Sequence, residues 1–328
     1  MTPHPGIDPV RTWTPDPDRA PAPDRTLEPE GFLVAVSGDT RVHFLDWGVP
    51  PAGGPPGPAG GPPGPGVLLV PGLLQPAWSW APVARRLARV RRTVVVDLRG
   101  QGLSDAPQAG YALDDLAADA VAVAEGAGLL DEGSLVVAGH GFGAIVAARA
   151  AAMLGGRCAG VVLVDGGWER LEEATGVDVN EFLRDLDEPP EVLRSMTAYL
   201  GDRQAFDPAT WDADQERAAR DAVVETAAGH VVRAVRPHVI EALVRTMFAY
   251  EPAAVLAGID APVTALVALG AGDAAVRSGE LRRSAAARIE AGRGPVRAAA
   301  FPDAHNLMRY RPGEVVAAIL DADHEDLR

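Results

Sequence analysis

From Val67 onward, apolar and polar positions come in alternating blocks. Short, continuously apolar runs at Val67–Val70, Thr93–Leu98, Ser134–Ala138, Gly160–Val164, Pro262–Leu269 and Val296–Phe301 predict strands buried on both faces. Between them, Trp80–Val90, Leu113–Gly126, Phe142–Leu154, Gly279–Ala291 and Pro312–Ala322 carry helical spacing, and Asp114 and Asp115 mark one helix start. Strands that alternate with helices imply a mostly parallel central sheet with helices on both faces, an α/β fold class. Upstream, Phe32–Val36 and Thr40–Trp47 flank Ser37-Gly38-Asp39 and predict a β-hairpin.

Two stretches break this alternation. Residues 167–250 are acidic, helical in pattern and without a clear strand, which predicts a helical cap inserted into the sheet domain. Residues 49–66, "VPPAGGPPGPAGGPPGPG", lose the every-third-glycine register of a collagen helix at both Gly-Gly pairs. They are expected to form a mobile surface linker. The organisation expected is therefore a disordered Pro/Asp-rich arm over 1–30, a first core segment over 31–166, the cap over 167–250 and a second core segment over 251–328.

Composition narrows the function classes. With 328 residues and 47% hydrophobic content, the chain can bury a large core, and no run of 18 apolar residues predicts a membrane span. The net charge of −15 disfavours nucleic-acid and membrane partners and otherwise speaks to solubility more than to mechanism. All basic residues are arginine, a choice that looks like GC-rich codon usage. The N-terminus shows no basic and apolar leader pattern, and the single cysteine, Cys158, suits a reducing cytoplasm as a small buried hydrophobe. No His, Cys, Asp and Glu spacing suggests a metal site, and no cofactor is expected.

The candidate chemistry centres on "LVVAGHGFGAIVAARAAAMLGG", Leu135–Gly156. Gly139-His140-Gly141-Phe142-Gly143-Ala144 fits the G-x-G-x-x-G/A turn that cradles a dinucleotide, with Asp165 ending the next strand 24 residues after Gly141. The same residues also fit a strand–elbow–helix turn, G-x-S-x-G, with Gly141 standing where the serine belongs.

Together with "VPGLLQPAWSW", "VVVDLRGQGLSD", "VALGAGD" and "FPDAHNLMRYRPGEV" in that order, the elbow resembles the α/β-hydrolase superfamily, notably its single-cap haloperoxidase, epoxide hydrolase and esterase-like members, over about residues 30–322. The resemblance implies His305 as general base and Asp273 as the acid that orients it, with Asp165 as the alternative acid. It implies Phe142 and Leu73 N–H groups as oxyanion donors, although Pro71-Gly72 stands where the family usually has His-Gly. The nucleophile position itself, Gly141, is vacant. Ser79 and Ser104 are the candidates for a displaced nucleophile, while Cys158 sits at the wrong end of its strand. Trp78, Trp80, Trp168 and Phe248, with Tyr199, Trp211 and Tyr250, are expected around an apolar pocket for a small neutral or apolar substrate.

The expectation is thus a cytoplasmic enzyme of hydrolase, lyase or isomerase type that works through a His–Asp base without an acyl-enzyme. Its alternatives are a non-catalytic binding protein, an engineered serine-to-glycine hydrolase and a dinucleotide-binding protein.

Overall fold

The computed structural model describes residues 8–48, 64–131, 133–186, 194–270 and 272–323. Eleven strands are described: β1 (Val10–Thr12), β2 (Glu30–Ala35), β3 (Arg41–Asp46), β4 (Gly66–Val70), β5 (Thr93–Val96), β6 (Leu135–His140), β7 (Cys158–Val164), β8 (Val223–Glu225), β9 (Val231–Arg233), β10 (Val263–Ala268) and β11 (Val296–Phe301). Nine form one sheet in the order β1-β11-β10-β7-β6-β4-β5-β3-β2. Only the β2–β3 and β3–β5 pairs run antiparallel in it; the rest are parallel. This is the mostly parallel α/β architecture that the block pattern predicts.

The strands are apolar throughout because both faces are covered. Along β4, Leu68 and Val70 point into a core with helices 113–126 and 142–154, while Val67 and Leu69 point into a second core with helices 81–87 and 312–320. All four side chains are fully buried, each worth about 1.5–3 kcal/mol by transfer. The Phe142–Leu154 helix is bounded by Gly141 (φ +52°) and Gly155 (φ +54°).

Two expectations need correction. The N-terminal segment is not free chain from residue 8 on: β1 pairs in parallel with β11, and Trp13 packs under the Arg297 guanidinium. Arg85, Arg86 and Arg89 bind the carbonyls of Leu27, Pro21 and Ala22, so guanidinium groups satisfy a backbone that prolines leave without partners. The insertion between β7 and β10 also contains strand: after helix 213–221, β8 and β9 form an antiparallel hairpin through a turn at Thr226–Gly229. Valine pairs at 223–224 and 231–232 favour the pleat over the helix that the neighbouring alanines suggested. Residues 1–7 and 49–63, parts of the expected arm and linker, lie outside the described residues. Among the described residues, no helix is long and apolar enough to cross a membrane.

Candidate active site

Parallel strands place their C-terminal ends at one edge of the sheet, where open α/β sheets bind ligands. Four such ends meet here. Strand β6 ends at His140 and turns at Gly141, whose φ of +52° and ψ of −115° are sparsely populated by residues that carry a Cβ. The turn is tight: a Cβ on Gly143 would lie 2.3 Å from the Val70 carbonyl oxygen at the end of β4. Strand β7 ends at Val164, and Asp165 follows it at φ +50°. His305 follows β11 in a loop, its side chain half exposed.

His305 Nδ1 lies 2.6 Å from Asp165 Oδ2. On its other side, a Cβ built on Gly141 would stand 2.9 Å from His305 Nε2 and 3.2 Å from Cε1. The imidazole therefore reaches the elbow, and it occupies part of the space that a larger residue at 141 would claim.

The carboxylate bonded to His305 is that of Asp165, not that of Asp273. Asp273 is the N-cap of helix 274–290, where Oδ1 accepts from the Ala275 and Val276 N–H groups at 2.8 and 3.1 Å. Asp165 is fully buried and also accepts from Ala268 N–H at 2.8 Å and Arg277 Nη2 at 2.9 Å. Burial alone would raise its pKa, but the bond to His305, the Arg277 charge and the Ala268 N–H outweigh it and hold the carboxyl below its ordinary value. Arg277 is bound in turn by Glu169 at 2.8 Å, a carboxyl whose pKa burial pushes up against that guanidinium.

Beneath the elbow, His140 is fully buried, its ring centroid 4.3 Å from that of His305. Burial, and then the neighbouring His305, drive its pKa down to about 3, so it is neutral. A neutral imidazole has one N–H, and His140 Nε2–H donating to the His305 carbonyl oxygen at 3.0 Å anchors the loop that carries His305. Its Nδ1 lies 3.0 Å from Gln75 Oε1, and Gln75 Nε2 donates to Asn306 Oδ1 at 2.9 Å. Gln75 Oε1 accepts from Gly72 N–H at 3.1 Å, and Gln101 Oε1 accepts from Leu74 N–H, with Leu74 at φ +61°. Between these braced neighbours, Leu73 N–H has no acceptor among the described residues. Phe142, first in its helix, has no intrahelical acceptor either. Gln75, Gln101, Asn306, Arg277 and Glu169 carry no local motif, and sequence reasoning passed over them.

Other expected site residues are elsewhere. Trp78, Trp80 and Trp168 are buried packing residues: Trp78 sits edge-on to Trp47 with Arg217 over its face, and Trp168 supports helix 274–290 through Ser284. Phe248 packs against Phe182 at 5.5 Å. Tyr250 is buried on the Gly167 carbonyl. Tyr199 and Trp211 do line a cavity of about 310 Å3 floored by Gln75 and Asn306, and Ser79 lines it too. Ser104 is occupied structurally, accepting from His43 N–H and donating to the Asp97 carbonyl. Cys158 is buried, its thiol pushed up to about 12 by burial. No group of three potential metal ligands occurs among the described residues.

Comparison with known proteins bears on this arrangement. The profile of the alpha/beta hydrolase family matches residues 67–319, well over half of the chain. The chain belongs to the alpha/beta hydrolase family. That membership sets aside the dinucleotide reading of the Gly139–Ala144 turn. Within the family, N-formylmaleamate deformylase of Pseudomonas putida is 43% identical over 100 residues, which are 30% of this chain and 36% of that protein. The match thus spans about a third of the curated relative's length. Among solved hydrolase structures, an E-2-(acetamidomethylene)succinate hydrolase superposes with a TM-score of 0.68 at 20% identity, covering 90% of this chain and all of that one. The N-formylmaleamic acid deformylase of Pseudomonas putida S16 superposes with a TM-score of 0.63 at 23% identity, covering 88% and 100%. At these identities the structural likeness speaks for the fold.

Proposed function

We propose that this hydrolase-family chain is an enzyme in which the His305–Asp165 pair acts as general base directly on water, without a covalent acyl intermediate. One observation carries the reading: a bonded His–Asp pair is kept and aimed at an elbow whose residue has no side chain. A binding protein that had abandoned catalysis would have no need of a carboxylate buried at 0% exposure and aligned on an imidazole. The deformylase likeness supports an acyl substrate.

The step balances as follows. A water beside Gly141 attacks the acyl carbon, and its proton passes to His305 Nε2, generating an imidazolium that Asp165 stabilises. The carbonyl electron pair moves onto oxygen, facing the Phe142 and Leu73 N–H groups as oxyanion donors. Collapse breaks the bond to the leaving group, which takes the proton back from His305 Nε2. The described residues of 167–250, including the β8–β9 hairpin, act as the cap of this edge.

The test is kinetic. With short p-nitrophenyl esters and N-acyl amides, steady turnover without a pre-steady-state burst and no labelling by a fluorophosphonate are expected. His305→Ala should lower turnover about 100-fold or more, as loss of a general base does. Unchanged turnover in His305→Ala, or a burst in the parent chain, would sink the proposal.

A further inference from the structure

The cavity floored by Gln75 and Asn306 shares Leu74, Tyr199, Arg203 and Ala222 with a second cavity of about 140 Å3. The two cavities therefore adjoin, and the first is lined by Asn306, the residue that directly follows His305. The described lining holds four arginines (Arg194, Arg203, Arg233 and Arg309) and no carboxylate. That is an unusual choice for a chain with 45 acidic and 30 basic residues. Three of the arginines have partners: Arg194 pairs with Asp202, Arg309 holds Asp207 and Thr210, and Arg233 is also engaged. Arg203 differs. Its guanidinium lies over the Tyr199 ring, 5.1 Å from the centroid, and makes no hydrogen bond or ion pair among the described residues.

Arg203 follows Tyr199 by one turn on helix 196–206, so the ring takes up the cation without using any of its N–H donors. A planar fork with free edges matches a carboxylate, which it can bind through two parallel hydrogen bonds. Elsewhere the surface charge repels anions, so an anionic ligand needs such a local cation to enter. We infer that Arg203 is the anchor of a substrate carboxylate, so that the acyl compound processed at His305 is an anion rather than the neutral or apolar molecule expected from the sequence. The inference rests on the general-base reading for where the reacting carbonyl lies, but carboxylate binding at Arg203 can be measured apart from turnover. One unpaired guanidinium suits a singly charged carboxylate better than a phosphate monoester dianion.

The experiment is titration calorimetry on the full chain with hexanoate, hexanamide and hexyl phosphate. Hexanoate should bind the parent and His305→Ala alike, and about tenfold or more tighter than hexanamide. Arg203→Met should erase the preference, and Arg203→Lys should keep part of it, since the ammonium retains the charge without the fork. Equal binding of acid and amide, no hexanoate binding, or an undiminished preference in a folded Arg203→Met variant overturns the inference. Tighter binding of hexyl phosphate than of hexanoate overturns the carboxylate assignment. Unaltered turnover in His305→Ala would instead count against the general-base reading and leave the binding result standing.

Discussion

Gly141→Ala puts the vacant elbow under direct test. The residue holds φ +52° and ψ −115°, where a Cβ costs about 1–3 kcal/mol of backbone strain. The new methyl carbon would also start 2.9 Å from His305 Nε2, so the ring must withdraw by about half an ångström to reach ordinary van der Waals contact. Because that ring is half exposed and pivots on its bond to Asp165, it can yield, and the strain term should dominate. At about 2–4 °C per kcal/mol, the melting temperature should fall by roughly 2–12 °C. Turnover should fall about 100-fold or more, because the methyl fills the place of the attacking water and displaces the base. Gly141→Ser should carry a similar stability cost but present a hydroxyl to His305, and should be labelled by a fluorophosphonate and show a burst with p-nitrophenyl esters. Calorimetry and stopped-flow kinetics read both effects. Full turnover in Gly141→Ala would refute the reasoning, because it would place the chemistry away from the elbow.

The other predictions concern the groups behind the base. Asp165→Asn should lower turnover by roughly 100- to 10,000-fold, and Asp273→Asn by little, since Asn still caps the helix; similar losses in both would reverse the assignment of the acid. His140 is neutral in the fold with a pKa of about 3, while the unfolded chain takes up its proton near 6.5. The unfolded state thus binds more protons over that interval, and stability should fall by about 1.4 kcal/mol per pH unit as pH drops from 6.5 toward 3. His140→Asn, followed by chemical denaturation at several pH values, should remove that contribution to the slope; an unchanged slope would show that the ring is not held neutral. Arg277→Met strands the Asp165 and Glu169 carboxylates and should destabilise the fold by about 3–5 kcal/mol, with Glu169→Gln in the same chain restoring part of the loss in urea titrations.

Much of the fold was legible because local signals and packing agree. The helices Leu113–Gly126 and Phe142–Leu154 and the strand Val296–Phe301 have the limits that the pattern predicts. In the second case, glycines at 141 and 155 take positive φ on either side. The β8–β9 hairpin was not legible, because an alanine-rich stretch around two valine pairs satisfies a helical pattern as well as an extended one. The order of the N-terminal segment was hidden for another reason. Its partners, β11 and Arg85, Arg86 and Arg89, lie far along the chain, and composition alone describes only what the segment can do by itself. The buried tryptophans show the same limit: Trp80 and Trp168 are aromatic enough for a pocket, yet both faces of the sheet needed filling first.

The acid shows how far a motif reaches into a site. Asp273 follows a strand as the family pattern asks, but an aspartate just before a helix is also an N-cap, and in this chain its carboxylate is spent on two backbone N–H groups. Asp165 follows β7, the neighbour of β10 in the sheet, and, at φ +50°, leaves the sheet in a conformation that non-glycine residues adopt at some cost. That cost is sustained by what the carboxylate gathers: His305 on one oxygen, Arg277 and the Ala268 N–H on the other. Glu169 then balances the guanidinium, so the Glu169–Arg277–Asp165 group carries about one net negative charge when both carboxylates are ionised. An imidazolium forming on His305 would neutralise it. Arg277 alone would have cancelled the charge of Asp165 and weakened its hold on that cation; with Glu169 behind it, the guanidinium fixes the carboxylate in place without removing the field the base needs. A site that had only lost its nucleophile would be under no pressure to keep this second carboxylate buried against its desolvation cost, and its presence argues that proton transfer at His305 is still the purpose of the pair.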